Sequence, residues 1–259
     1  MQIIIPMTGY GSRFVAAGYN ELKPMIQVAG KPIIEWIVKG MFGREDRFIL
    51  VCRKEHFDTG KLSEEYLKSL APNVCIVQIN DWEKLGPVND IMRAAEYIAD
   101  DESTIVNYCD FFVPWMWSEV KKQLVEKECD GAVVAFTGFQ PCLVPKKNVY
   151  ASCLCDETET LLEIKEKFCY EEDRFKAKHS TGTYYFKTGA SMKKYFQEAI
   201  DKKVMLNGEY YASLPYNFMV RDGLEIWVPV FSDKFYTWGT PEDLEEFVFW
   251  LDMVRRWNR

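Results

Sequence analysis

Residues 1–36 read MQIIIPMTGYGSRFVAAGYNELKPMIQVAGKPIIEW. The apolar run Ile3-Ile4-Ile5 predicts a buried strand that passes into a loop carrying Gly9 and Gly11. Arg13 follows that loop at once, Lys23-Pro24 comes ten residues later, and Lys31-Pro32 opens a helix. Glycines let backbone N–H groups approach a polyphosphate closely, and Arg13, Lys23 and Lys31 would supply a local cationic pocket. This is a phosphate-handling start on an α/β sheet. An ordinary turn at Gly9 and Gly11, and a surface salt bridge at Arg13, are the readings it competes with. A dinucleotide fingerprint fits less well, because Phe14 stands where that motif needs a third small residue.

Working outward, the first half alternates. Strands are expected at 3–5, 48–52, 74–79, 104–108 and 132–136, with helices at 32–41, 64–70, 88–98 and 115–128 between them. That order predicts a mostly parallel, Rossmann-like sheet flanked by helices, with ligands at the carboxyl ends of its strands. The Gly9–Gly11 loop and Asp110 both fall at such ends. The second half loses the alternation: short strands near 150–154, 161–165, 182–186 and 224–230 surround one helix at 190–199 and an aromatic stretch at 210–218. Thr240, Pro241 and Asp243 signal a last helix, with Thr240 as cap and Asp243 where a capping box wants an acid. Leu244, Phe247, Val248, Leu251 and Val254 would be its core-facing stripe. With no repeat or linker in the chain, we expect one domain over 1–259. In it, 1–136 is the phosphate-handling half, and 137–259 is a mixed, β-rich half that ends in that helix and covers the pocket of the first.

At 259 residues, 48% apolar, the chain can bury a full core. Its net charge of −7 argues against a nucleic-acid or anionic-membrane surface. The N-terminus lacks the pattern of a signal peptide and no apolar run is long enough to span a bilayer, so a cytoplasmic location is expected. The eight cysteines are scattered, which suits reduced core thiols; Cys153, Cys155, Cys169 and His179 form the only zinc-like grouping and a poor one. His56 and His179 have no partners set by spacing, as a hydrolytic triad would require.

Taken together, Gly9-Tyr10-Gly11-Ser12-Arg13, Lys23-Pro24 and Gly30-Lys31-Pro32 resemble the signature of the sugar-phosphate nucleotidyltransferases, the NDP-sugar pyrophosphorylases of GT-A-like fold. The likeness continues in order along nearly the whole chain: KLGPVNDIMRAAEYI (84–98) resembles the family's base-binding glycine and helix, TIVNYCDFF (104–112) its metal-binding strand end, LEIKEKF (162–168) its Glu-Lys pair, STGTYYFKTG (180–189) its Gly-led strand, and TWGTPEDLEEF (237–247) its final helix start. The nearest likeness is to short bacterial forms associated with capsule or surface-polysaccharide synthesis. The resemblance implies an in-line attack by a substrate phosphate on the α-phosphorus of an NTP. Met7, Thr8, Gly9, Gly11, Ser12, Leu85 and Gly86 would bind nucleotide, Arg13 and Lys23 would be catalytic, and Asp110 would hold Mg²⁺. Glu166, Lys167, Gly182, Glu209 and Tyr211 would meet the acceptor.

The chain departs from the pattern in two places. Thr237 stands where many relatives carry a second metal-binding Asp, with Asp233 as the nearby substitute, and Leu85 stands where many carry a base-reading Gln. The expected partners are an NTP and a small phosphorylated substrate, with a homo-oligomer possible. Acceptor and base stay open. Beside a sugar 1-phosphate, phosphocholine or another non-sugar phosphate fits the aromatic stretch, since aromatic faces hold a quaternary ammonium. A non-catalytic nucleotide-sugar-binding regulator and a glycosyltransferase on the same sheet are further readings.

Overall fold

A computed structural model describes residues 1–80, 82–145 and 147–257. At its centre nine strands form one sheet: β1 (Gln2–Pro6), β2 (Arg47–Arg53), β3 (Val74–Ile79), β4 (Thr104–Asn107), β5 (Gly131–Phe136), β6 (Ser152–Cys155), β7 (Leu161–Lys165), β8 (Lys178–Phe186) and β9 (Ile226–Trp227). The order across it is β7-β6-β8-β4-β1-β2-β3, with β5 on β8 and β9 on β5. β4, β1, β2 and β3 run parallel, and β8 enters antiparallel beside β4. The expected mostly parallel α/β sheet is therefore present, with its mixed part in the second half.

Strand periodicity explains how the sheet is held. Alternate side chains point to opposite faces, so an apolar run fills two cores at once. Ile3, Ile5, Phe48 and Leu50 pack with the helix Ile33–Gly40 on one face. Ile4, Ile49 and Val51 pack with Val88 and Ile91 of the helix Pro87–Met92, and with Met192 and Phe196 of the helix Gly189–Asp201, on the other.

Three expected elements come out differently. The helix expected at 88–98 stops at Met92, where Ala94 N–H bonds the Ile91 carbonyl in the tighter three-residue pattern. The strand expected at 224–230 is ladder-paired only at Ile226–Trp227, since Pro229 has no N–H to donate. The last helix, Pro241–Trp257, packs through Leu244, Phe247 and Val248, but Val254 is 53% exposed, so its apolar stripe meets the core only in the first turns.

One small feature positions the site. Phe111–Phe112 pairs antiparallel with Tyr236–Thr237, and Trp238 N–H donates to the Asp110 carbonyl at 2.7 Å. This clasp brings Gly239 and the start of the last helix to the end of β4.

Candidate active site

Two chambers, each of about 350 Å³, open at the carboxyl ends of β1 and β4 and share Arg13, Tyr108, Asp110, Tyr211 and Gly239. The first is lined by the loop after β1, residues 6–14, with Lys23, Trp82, Gly86, Asp90 and Glu209. The second is lined by Lys147, Glu166, Lys167, Gly182, Tyr184 and Asp243, among others.

The loop after β1 is shaped by Gly11, whose φ of 60° is a left-handed value that caps the short helix Ser12–Ala16. Among the described residues no main-chain acceptor takes the N–H groups of Gly9, Tyr10, Ser12 or Arg13. Lys23 lies on the single turn Lys23–Met25, and its ammonium sits 2.7 Å from Asp110 Oδ2 and 3.3 Å from the Gly239 carbonyl. With side-chain exposures of 17% and 35%, this pair faces the junction of the chambers, where an incoming anion can reach the lysine.

Asp90 was not singled out from the sequence. It is buried, accepts from the Thr8 hydroxyl and from Trp82 Nε1 (3.0 Å), and so fastens the loop after β1 to the segment before the helix Pro87–Met92. Burial pushes its carboxyl up, and the hydrogen bonds from Thr8 and Trp82 pull it back. Beside it, the Arg53 guanidinium packs over the rings of Tyr10 (4.5 Å) and Trp82 (4.7 Å) and donates to His56 Nε2 at 2.8 Å. Burial, then the charge of Arg53, lowers His56 to about 4, so it stays neutral as that acceptor. Cys109 is no nucleophile, because burial and then the Asp110 charge push its thiol up to about 12.

Gly86 has φ 94°, and a Cβ there would meet Tyr210 N at 2.7 Å and O at 2.9 Å. Tyr210 N–H donates to the Leu85 carbonyl at 2.7 Å, and Val88 N–H donates to the Tyr210 carbonyl at 3.2 Å. The segment carrying Glu209 and Tyr211 is thus bound to the rim of the first chamber.

In the second chamber Glu166 accepts from the Ser213 hydroxyl; burial raises its carboxyl and Ser213 opposes the rise. Lys167 Nζ donates to Tyr211 Oη at 3.0 Å and lies 5.1 Å from that ring's centre. Gly182, φ 99°, sits in an irregularity of β8 between Ser180 and Thr183, and a Cβ there would reach Phe111 at 3.0 Å and Tyr108 at 3.2 Å. Asp243 is raised by burial and lowered by its bonds with Thr240.

The structure gathers most of the expected residues around these chambers: Met7, Thr8, Gly9, Gly11, Ser12, Lys23, Gly86 and Glu209 at the first, and Glu166, Lys167 and Gly182 at the second, with Arg13, Asp110 and Tyr211 at both. Three it does not. Leu85 lines neither chamber: its side chain packs, partly buried, against the core, and its N–H and carbonyl are used by Glu83 and Tyr210. Asp233 is 86% exposed, pairs with Lys234 at 3.3 Å and lines neither chamber. Lys31 lies 5.5 Å from the Trp36 ring centre, away from the phosphate loop. Among the described residues no cluster of three or more His, Cys, Asp or Glu could hold a metal by itself. Among the described residues no helix is long and apolar enough to cross a membrane.

Comparison with known proteins agrees with this geometry. The glucose-1-phosphate cytidylyltransferase of Salmonella typhimurium is 30% identical over 132 residues, 42% of this chain and 50% of that protein. The chain spans about half the length of the first two curated relatives it matches by sequence and about a quarter of the other two. A UDP-glucose pyrophosphorylase solved with UDP-glucose superposes with a TM-score of 0.76 at 15% identity, covering 98% of both chains. The inositol-1-phosphate CTP transferase of T. maritima superposes with a TM-score of 0.71 at 17% identity, covering 96% of this chain and 94% of that one. These two likenesses establish the fold. Residues 3–170, well over half the chain, match the profile of the MobA-like NTP transferase domain, and that stretch runs from β1 through Lys23, Asp110 and the Glu166-Lys167 pair. The chain belongs to the family of MobA-like NTP transferase domains.

Proposed function

We propose that this chain is a nucleotidyltransferase that moves a nucleoside monophosphate from an NTP to a sugar 1-phosphate, forming an NDP-sugar. The observation that carries the reading is the meeting of two chambers at Arg13 and Asp110, with the Lys23 ammonium 2.7 Å from that carboxylate. A donor in one chamber and an acceptor phosphate in the other would place the reacting atoms at that junction. An acceptor phosphate oxygen forms a bond to the α-phosphorus, the bond from that phosphorus to the β-bridging oxygen breaks, and pyrophosphate leaves with the electron pair. Such transfers ask little covalent chemistry of the protein; positioning and charge stabilisation dominate.

The free amides of the loop after β1, with the Arg13 fork, suit β- and γ-phosphate oxygens. Lys23 would leave Asp110 for the α-phosphate and stabilise the charge that builds there. Gly86 lets the base approach main chain. Glu166 would accept from acceptor hydroxyls, and Lys167 would meet the acceptor phosphate.

Mg²⁺ is the expected cofactor, and the residues fit it. Asp110 is already placed to hold a cation, as its contact with the lysine ammonium indicates, and hard oxygens are the donors that Mg²⁺ takes alongside phosphates. Bound there, it would neutralise charge on the departing pyrophosphate.

We take the chain as one cytoplasmic domain, with residues 1–136 on the nucleotide side and 137–259 on the acceptor side, while Glu209 and Tyr211 reach across. Cytidylyl transfer is the first donor chemistry to test, given the names of two relatives. A second acceptor class has its own support. Glu166 sits with the rings of Tyr108, Tyr184 and Tyr211 along the second chamber, a setting that suits a phosphorylated amine such as phosphocholine.

The test is a matrix of four NTPs against sugar 1-phosphates and phosphorylated amines, read by Mg²⁺-dependent pyrophosphate release. Release with one NTP and one acceptor class is expected. No release with any pair, while NTP still binds, would favour a nucleotide-binding regulator.

A further inference from the structure

We propose that Asp243 is the second carboxylate of the divalent-cation site, taking the part that the family pattern gives to position 237. The inference rests on the nucleotidyltransferase reading and adds a residue to it.

The clasp between Phe111–Phe112 and Tyr236–Thr237 sets Gly239 against Asp110. A Cβ at Gly239 would lie 3.9 Å from Asp110 Oδ2 and 3.8 Å from Asp243 Oδ2. Both carboxylate oxygens therefore border one small space, less than 8 Å apart, that the missing side chain leaves open. Both residues line the second chamber, and Asp110 lines the first as well. The Lys23 ammonium lies at the same place, bonded to Asp110 and to the Gly239 carbonyl, so the space already accommodates positive charge. Mg²⁺ keeps several waters, so it can bind one carboxylate directly and the other through water.

The other candidates are spent elsewhere. The Thr237 hydroxyl accepts from Gly239 N–H at 3.2 Å, which commits it to the turn. Asp233 points to solvent and pairs with Lys234. Asp243 is held in place instead of being free to swing: its N–H donates to Thr240 Oγ1 at 3.2 Å, and that hydroxyl donates to its Oδ2 at 2.9 Å. From the sequence Asp243 is only a helix-capping acid. The clasp gives it a second role by delivering the helix start to Asp110.

Mn²⁺ binding to the full chain, followed by loss of the free-ion paramagnetic signal, tests this without reference to turnover. Asp243→Asn should weaken Mn²⁺ binding about tenfold or more, Asp110→Asn at least as much, and Thr237→Asp placed in the Asp243→Asn protein should recover most of the loss. A melting curve checks that each variant is folded. Should Asp243→Asn fail to fold, Thr237→Asp alone serves: a third carboxylate at the space should tighten Mn²⁺ binding, and unchanged binding overturns the proposal. Wild-type Mn²⁺ binding in Asp243→Asn, with binding lost in Asp110→Asn, overturns the role of Asp243 and leaves the nucleotidyltransferase reading intact. Indifference of Mn²⁺ binding to both substitutions overturns the cation site as a whole.

Discussion

The first chamber is lined largely by one unbroken stretch of chain and the second by residues gathered from separate elements. Around the first, an unbroken loop from Pro6 to Phe14 and the glycine at 86 expose backbone, and Asp90 serves to hold that loop in shape. Around the second, Lys147, Glu166, Lys167 and a set of tyrosines project from separate elements of the mixed half. A triphosphate offers the same oxygens whatever its base, so a fixed backbone cradle suits it. An acceptor differs from one enzyme to another, so its recognition belongs to side chains that can change without disturbing the sheet.

The comparison can be broken most sharply at Lys23. Lys23→Ala should lower kcat about 10²–10³-fold with the fold intact, the usual loss for a preorganised charge at a transition state. A rate within threefold of wild type, measured by pyrophosphate release, would remove the junction from the chemistry. Next, Lys167→Ala should raise the acceptor KM roughly tenfold or more and leave the NTP KM unchanged, as expected when one charged hydrogen bond is lost. Equal shifts in both constants would mean that the chambers do not divide the substrates.

Gly86→Ala acts on backbone. Its φ of 94° and the approach of Tyr210 should cost about 1–3 kcal/mol of stability, read from urea unfolding. His56 gives a pH signature. Its folded value near 4 lies below the ordinary value of 6.5, so the unfolded chain takes up the proton first. Stability should be full above pH 6.5 and fall as pH drops toward 4, and His56→Gln should flatten that part of the profile. The smallest effect is expected at Asp233, where Ala should leave turnover within twofold, in keeping with its exposed position.

What could be read from the chain follows the same division. The glycine loop, Arg13, Lys23 and Asp110 are local: each lies in or just after a strand or turn whose pattern is visible in a few residues. The parallel half followed from apolar runs at strand spacing. Asp90 and Thr8 are 82 positions apart, and nothing in either neighbourhood announces their bond. Asp243 had a complete local explanation as a cap, which hid its place across Gly239 from Asp110. Asp233 and Leu85 were chosen for nearness to a motif in sequence. Solvent took the first and the core took the second, because side-chain direction over a few residues depends on the turn between them. Trp82 gave no signal either, since an indole after a strand reads as packing.

The two main-chain bonds and the glycine contact that tie Tyr210 to residues 85–88 have a consequence for how such a protein can change. Glu209 and Tyr211 flank that tie, one facing the first chamber alone and the other facing both. On the proposed reading, reshaping the rim to welcome a different nucleobase would drag those two neighbours with it. Preferences for the two substrates would then be inherited as a pair, and altering one by mutation would require retuning the other.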